Sequence, residues 1–254
     1  MLQGWLESDI DAHYIVVEPF GQPDFTKENP KVSYGKNISD VKSEIATSDI
    51  CILAVKPQMM NDVCTALKSE ISKNCLILSV AAGQTIANFE AHFGNDQPIT
   101  RIMPNTPAAI GKGMSVAVAN NNVNSDQKDL VTKMLNCSGK TEWVTDENLM
   151  NAVTAVSGSG PAYIFHLIEA MATAGEHVGL SADTAMALAR QTVIGSAALA
   201  EEQPETSAST LRENVTSPNG TTAAALDVLM DGRFQKILNE ALAAAKNRGE
   251  ELEG

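Results

Sequence analysis

Basic residues are scarce in this chain: Lys and Arg number 18 against 31 Asp and Glu, a formal net charge of −13 over 254 residues. A surface that acidic repels phosphate backbones and anionic headgroups, which argues against nucleic-acid and membrane partners. Aromatic residues make up only 4% of the chain, and no apolar run approaches the roughly 18 residues that a bilayer span requires. The opening MLQGWLESDIDAH has no basic region, and Gln3, Gly4 and Glu7 interrupt its apolar residues, so a secretory signal is not expected. Cysteine is sparse and scattered. Cys51, Cys64, Cys75 and Cys137 form no C-x-x-C pair and no cluster with histidine, which excludes a zinc knuckle and a disulfide framework. Three of them sit in apolar runs and read as small core residues. A reducing cytoplasm suits this usage, and the sequons beginning at Asn37, Asn214 and Asn219 then read as accidental.

What is present divides into two halves of different period. In the first, YIVV (14–17), ICILAV (50–55), CLILSV (75–80), ITRIM (99–103), MSVAVA (114–119) and EWV (142–144) are short aliphatic runs. Near-continuous apolar strands of this kind suit a sheet covered on both faces. Between them, Met60, Val63, Cys64, Leu67 and Ile71 recur at helical spacing, as do Ile86, Phe89 and Phe93, and then Leu130, Val131, Met134 and Leu135. Strand–helix alternation predicts an α/β domain with a largely parallel, Rossmann-like sheet over residues 1–147.

From 148 to 254 the strands stop. Pro161 follows Ser159 at the start of one helical pattern that ends at Gly179, Ser181 opens the next, and Pro204 closes it, with shorter helices beyond. The abundant alanine suits close helix packing and leaves more apolar surface than one chain covers, which predicts a dimer through this all-helical half.

A Rossmann-like unit binds its dinucleotide where strands end, and its first strand leads into a glycine-rich turn. Here the chain opens on Met1, Leu2, Trp5 and Leu6, which share one face like the rear of a packed helix. No glycine-rich turn precedes them. A domain beginning at this point is expected to carry a gap in its central sheet and to bind dinucleotide weakly.

Taken singly, the candidate site residues each have a plain alternative. VSGSGPA (156–162) lacks the G-K-[ST] ending of a phosphate loop and fails G-x-S-x-G, so a tight turn capping a helix is the simpler reading. The four histidines have no metal or triad spacing. Glu18 follows YIVV, where a carboxylate accepts from a ribose 2′-OH and repels a 2′-phosphate, which points to NADH over NADPH. AVKPQ (54–58) ends one strand, and RIMPNTPA (101–108) leaves another into a double-proline loop that presents Asn105 and Thr106. LRENVTSPNGTTAAALDVL (211–229) reads as helix, turn and helix, its turn crowded with Thr216, Ser217, Thr221 and Thr222. A capped helix with spare hydroxyls explains that turn in isolation.

In order, AVKPQ, SVAAGQT, RIMPNTPA, TAVSGSGPAYIF, ARQTVIGSA and LRENVTSPNGTT closely resemble pyrroline-5-carboxylate reductase, from about residue 50 to the last helix. The resemblance implies reduction of a cyclic imine to L-proline, the last step of proline biosynthesis, with NADPH or NADH. It implies that Thr222 contacts the imine nitrogen, with Ser217, Asn219, Gly220, Thr221 and Asn105 binding the substrate. It assigns the cofactor to Glu18, Asn37, Ala54, Val55, Lys56, Pro57, Ala82 and Gly83. The family has two adjacent glycines where this chain has Asn219 and Gly220. The resemblance also implies homodimers through the helical half, with a ring of five such dimers as a further assembly. The alternatives are a catalytically silent binding homologue without the phosphate loop and a β-hydroxyacid-type dehydrogenase. The second needs a lysine in its helical half, and none occurs here before Lys236.

Overall fold

The structure, a computed structural model, describes residues 1–253. The chain forms two compact units, the first comprising residues 1–158 together with the final turns from Ala245 onward, the second Ser159–Ala244.

In the first unit, strands β1 (Tyr14–Val17) and β2 (Val32–Gly35) pair in parallel. A second sheet runs β3 (Ile50–Leu53), β4 (Leu76–Ser79), β5 (Ile99–Met103), β6 (Gly113–Ala119), β7 (Gly139–Trp143) in that order. Its ladders are parallel except that β6 lies antiparallel to β5, with Arg101 opposite Val118. No ladder joins β1 to β3 among the described residues, which is the interrupted sheet that the sequence led us to expect. The two sheets still share cores: Ile15 of β1 packs into the cluster around Leu53, Ile77 and Phe89, while Tyr14 joins Ile50 and Ile52 around Trp5.

Alternation of side chains across the pleat assigns neighbours to opposite faces. Ile77, Ile99 and Val116 enter one core, and Leu76, Leu78, Ile102 and Ala117 the other. The covering helices follow from their apolar spacing. α1 (Leu2–Leu6) buries Trp5, whose indole N–H donates to the Met134 carbonyl at 2.8 Å. After the short α2 (Lys42–Ile45), α3 (Met60–Leu67) buries Met60, Cys64 and Leu67, and α4 (Ile86–Phe93) buries Ile86 and Phe89. α5 (Ser125–Asn136) buries Val131, Met134 and Leu135 and starts at a reciprocal cap between Asn124 and Gln127.

Two details differ from the sequence reading: Ile71 lies beyond α3, and strand β7 begins at Gly139 rather than Glu142. α6 (Met150–Val153) continues into a π-helical stretch, Thr154–Gly158, and α7 (Gly160–His177) starts after Ser159.

The second unit holds α7, then α8 (Ala182–Glu202), α9 (Ala208–Asn214), α10 (Thr221–Leu229) and the first part of α11 (Arg233–Glu253). The oxygen of Ser181 caps α8 by accepting from the Thr184 N–H. α7 and α8 meet through Ala172, Ala185 and Ala189, and a Cβ on Gly175 would stand 3.0 Å from that of Ala185. Larger apolar residues stay outside: Phe165 is 61% exposed and Ile194 52%. Such faces need a partner to bury them.

Candidate active site

Parallel pairing brings the residues that follow β1 and β2 to one end of their sheet, and those that follow β3, β4 and β5 to one end of theirs. After β1 comes Glu18, whose backbone is held by the Gly35 carbonyl at 3.2 Å and the Tyr34 hydroxyl at 2.9 Å. The residue is half-buried, and its carboxylate accepts the Phe20 N–H at 3.1 Å. After β2, Asn37 starts a 3-10 turn, its N–H donating to the Asp40 carboxylate at 2.9 Å. After β3, Ala54 and Val55 lead to Lys56, which opens the turn Pro57–Met59 and leaves its ammonium exposed. After β4, Ala82 is exposed, and Gly83 takes a φ of +69° that favours glycine. The loop ends at Thr85, which caps α4 by accepting from Asn88 N–H at 3.2 Å.

Asn105 follows β5 and has a structural task. Its Nδ2 donates to the Ser157 carbonyl at 3.2 Å and lies 3.3 Å from the Ser157 hydroxyl, while its Oδ1 accepts the Met114 N–H at 2.8 Å. Residues 156–158 of the VSGSGPA segment lie in a π-helical insertion, and Ser159, the residue before α7, makes no side-chain capping bond. The wider helical turn takes the Ser157 carbonyl to Asn105, and π insertions of this kind recur at functional sites. Gly158 permits it, since a Cβ there would lie 3.3 Å from Met103 Sδ.

The turn 215–220 matches its sequence reading closely. Thr216 bonds back to the Arg212 carbonyl at 2.6 Å, ending α9. The Gly220 N–H donates to the Ser217 carbonyl at 3.0 Å. Between them Asn219 has φ +57°, the only non-glycine residue with positive φ among those described. Asparagine tolerates this left-handed conformation, which explains how it stands beside Gly220. The first helical bond of α10 is Ala224 N–H to Gly220 C=O at 3.2 Å, so the N–H groups of Thr221, Thr222 and Ala223 precede the ladder. The hydroxyls of Ser217, Thr221 and Thr222 have no hydrogen-bond partner among the described residues. Free amides, a positive helix end and spare hydroxyls together suit a carboxylate with a neighbouring acceptor. The structure thus groups Ser217 to Thr222 in one turn of the second unit, and Glu18, Asn37, residues 54–57, Ala82, Gly83 and Asn105 at strand ends of the first.

This chain is 38% identical to pyrroline-5-carboxylate reductase of Pasteurella multocida, over 98% of its own length and 92% of that protein. The chain belongs to the pyrroline-5-carboxylate reductase family. Among solved structures, the pyrroline-5-carboxylate reductase of Coxiella burnetii is similar along the whole chain, with TM-score 0.91, 36% identity and 93% of that chain covered. The reductase of Plasmodium falciparum, solved with NADP bound, gives TM-score 0.76 at 27% identity, over 97% of this chain and 99% of that one. The family profile for pyrroline-5-carboxylate reductase dimerisation matches residues 147–252, and one for NADP oxidoreductase, coenzyme F420-dependent, matches 1–83. The reductase is thus an NAD(P)H-dependent oxidoreductase whose helical half is a dimerisation domain, in agreement with its uncovered apolar faces. None of its described helices is long and apolar enough to cross a membrane.

Sequence reasoning missed a buried charge network centred on Arg101. The only signal was an arginine inside an aliphatic strand, a placement that requires paired carboxylates.

Proposed function

We propose that this chain reduces the C=N bond of 1-pyrroline-5-carboxylate to give L-proline in the cytoplasm, as the last step of proline biosynthesis. The observation that carries the reading is the turn at 217–222, with its left-handed Asn219, free helix-end amides and unpartnered hydroxyls. Residues 1–147 serve the dinucleotide and 148–254 the substrate and the dimer, five dimers forming a ring.

A dinucleotide suits the strand ends that are present: a half-buried carboxylate at Glu18 for ribose hydroxyls, the free ammonium of Lys56 for phosphate, and close backbone approach at Gly83. When bound, reduced nicotinamide supplies the hydride that the imine carbon accepts. The work of the protein is then positioning and charge placement. The amides of Thr221, Thr222 and Ala223, with Ser217 and Thr221, hold the carboxylate of the substrate, and Asn219 and Gly220 shape the approach. Thr222 donates to the ring nitrogen while it becomes an amine. Asn105 fixes the π segment beside the β5 loop, and Ala54, Val55, Pro57, Ala82 and Asn37 line the cofactor edge. Glu18 selects for NADH, while NADPH also serves.

The test is oxidation of NADH or NADPH that depends on pyrroline-5-carboxylate, with proline as product, at saturating cofactor. No oxidation above background with either cofactor overturns the reading. A silent binding homologue gains no support, because Thr222, Asn105 and Gly160 are all in place.

A further inference from the structure

Arg101 lies in the middle of β5 with only 4% of its surface exposed. Its guanidinium meets two carboxylates, Glu147 through Nη1 and Glu253, near the end of α11, through Nη2 at 2.9 Å. The same Glu147 oxygen accepts the N–H of Ile86, the first residue of α4, at 2.7 Å. The other oxygen of Glu253 accepts from Asn151 Nδ2 at 2.8 Å. One turn earlier, Gly249 approaches Asn151 so closely that a Cβ there would stand 2.5 Å from Asn151 Oδ1. Leu252 lies against Gly83, whose Cβ, were there one, would come within 2.9 Å of the Leu252 carbonyl. The 80–85 loop, which carries Ala82 and Gly83, is thus tied at its exit by Glu147 and backed at its centre by Leu252. Both ties converge on Arg101.

We propose that Glu253 and Leu252 form a clasp that sets the conformation of the 80–85 loop, with Glu253 a positioning residue for dinucleotide binding. The proposal rests on the assignment of that loop to the cofactor. Charge-assisted bonds to a guanidinium have fixed geometry, so two carboxylates on one buried arginine define where α11 ends relative to β5. The helix end in turn fixes Leu252 over a glycine whose left-handed backbone has no side chain to hold it. Removing Glu253 leaves Arg101 with Glu147 alone, and that carboxylate must then serve both the arginine and α4.

The experiment compares Glu253→Ala, Glu253→Gln and Leu252→Gly with the unaltered chain by hydrogen-exchange mass spectrometry and by NADH titration. In Glu253→Ala, exchange over residues 80–86 is expected to rise about fivefold or more while α7 and α8 keep their rates, because the opening is local. The NADH dissociation constant is expected to rise about three- to tenfold, with the KM for the imino acid within about twofold, since the substrate turn lies in the other unit. Glu253→Gln, which keeps an acceptor for Arg101, restores most of both. Leu252→Gly leaves the charges in place and removes the Cβ that lies against Gly83, so faster loop exchange in that variant shows the clasp even where Glu253→Ala fails to fold. Unchanged exchange at 80–86 in Leu252→Gly and in any folded Glu253→Ala overturns the proposal, as does a uniform rise across both units or an unchanged affinity for NADH. Failure of the proposed reaction registers separately, as absent imino-acid-dependent oxidation by the unaltered chain.

Discussion

At the scale of single residues, the most exacting position is Asn219. Its φ of +57° lies where a Cβ crowds the following carbonyl. Asn219→Gly is expected to leave the melting temperature nearly unchanged. Asn219→Val is expected to cost about 1–2 kcal/mol, because a branched side chain resists that region. Thermal unfolding of the two variants decides whether the turn is held by backbone or by side chain. Thr222 is a different case, since its hydroxyl supports no fold contact among the described residues. A donor aimed at developing charge is worth about 2.7–4 kcal/mol in the strongest cases. Thr222 is partly exposed and competes with water, so Thr222→Ala is expected to lower kcat/KM by about ten- to thirtyfold, or 1.4–2 kcal/mol. Cofactor affinity should hold. An unchanged kcat/KM would reduce Thr222 to part of a helix start.

At the scale of elements, legibility followed the strength of the local signal. β1, β3, β4, β5 and β6 were readable because each is a run of aliphatic residues, and the turn before α10 because Pro218, Asn219 and Gly220 have few other uses. β2 was missed because VSYG carries one β-branched residue and ends in glycine. The antiparallel direction of β6 was hidden, since a strand buried on both faces looks the same whichever way it runs. The π segment was hidden for another reason. Ser157, Gly158, Ser159 and Gly160 are poor helix formers, and the π stretch that ends at Gly158 is supported by Asn105, far away in sequence, whose Nδ2 donates to the Ser157 carbonyl. Of the candidate site, the substrate turn was therefore legible, while the carboxylates around Arg101 were not. Nothing local links Glu253 to β5.

At the scale of the whole molecule, two consequences follow. The first concerns pH. Burial pushes the thiols of Cys51 and Cys75 up to about 12 and that of Cys64 up to about 11, against an ordinary value of 9.0. The folded state holds these protons more tightly than the unfolded chain, so their contribution is whole below pH 9 and is lost as pH rises from there toward about 12. Denaturant midpoints measured at increasing pH should fall across that window, and less steeply once Cys51 and Cys75 are replaced by alanine.

The second consequence comes from the open edges of β1 and β3. Each leaves a row of unpaired backbone groups on an aliphatic strand that is only partly covered. Such edges invite pairing with another chain. What opposes this is mutual repulsion between molecules carrying a net charge of −13, and that repulsion vanishes as the pH approaches 4.7. Acidification toward that pH is expected to drive the protein into strand-paired aggregates that bind thioflavin, while the same concentration at neutral pH stays clear. The scarcity of lysine and arginine is, on this view, part of what keeps an interrupted sheet in solution.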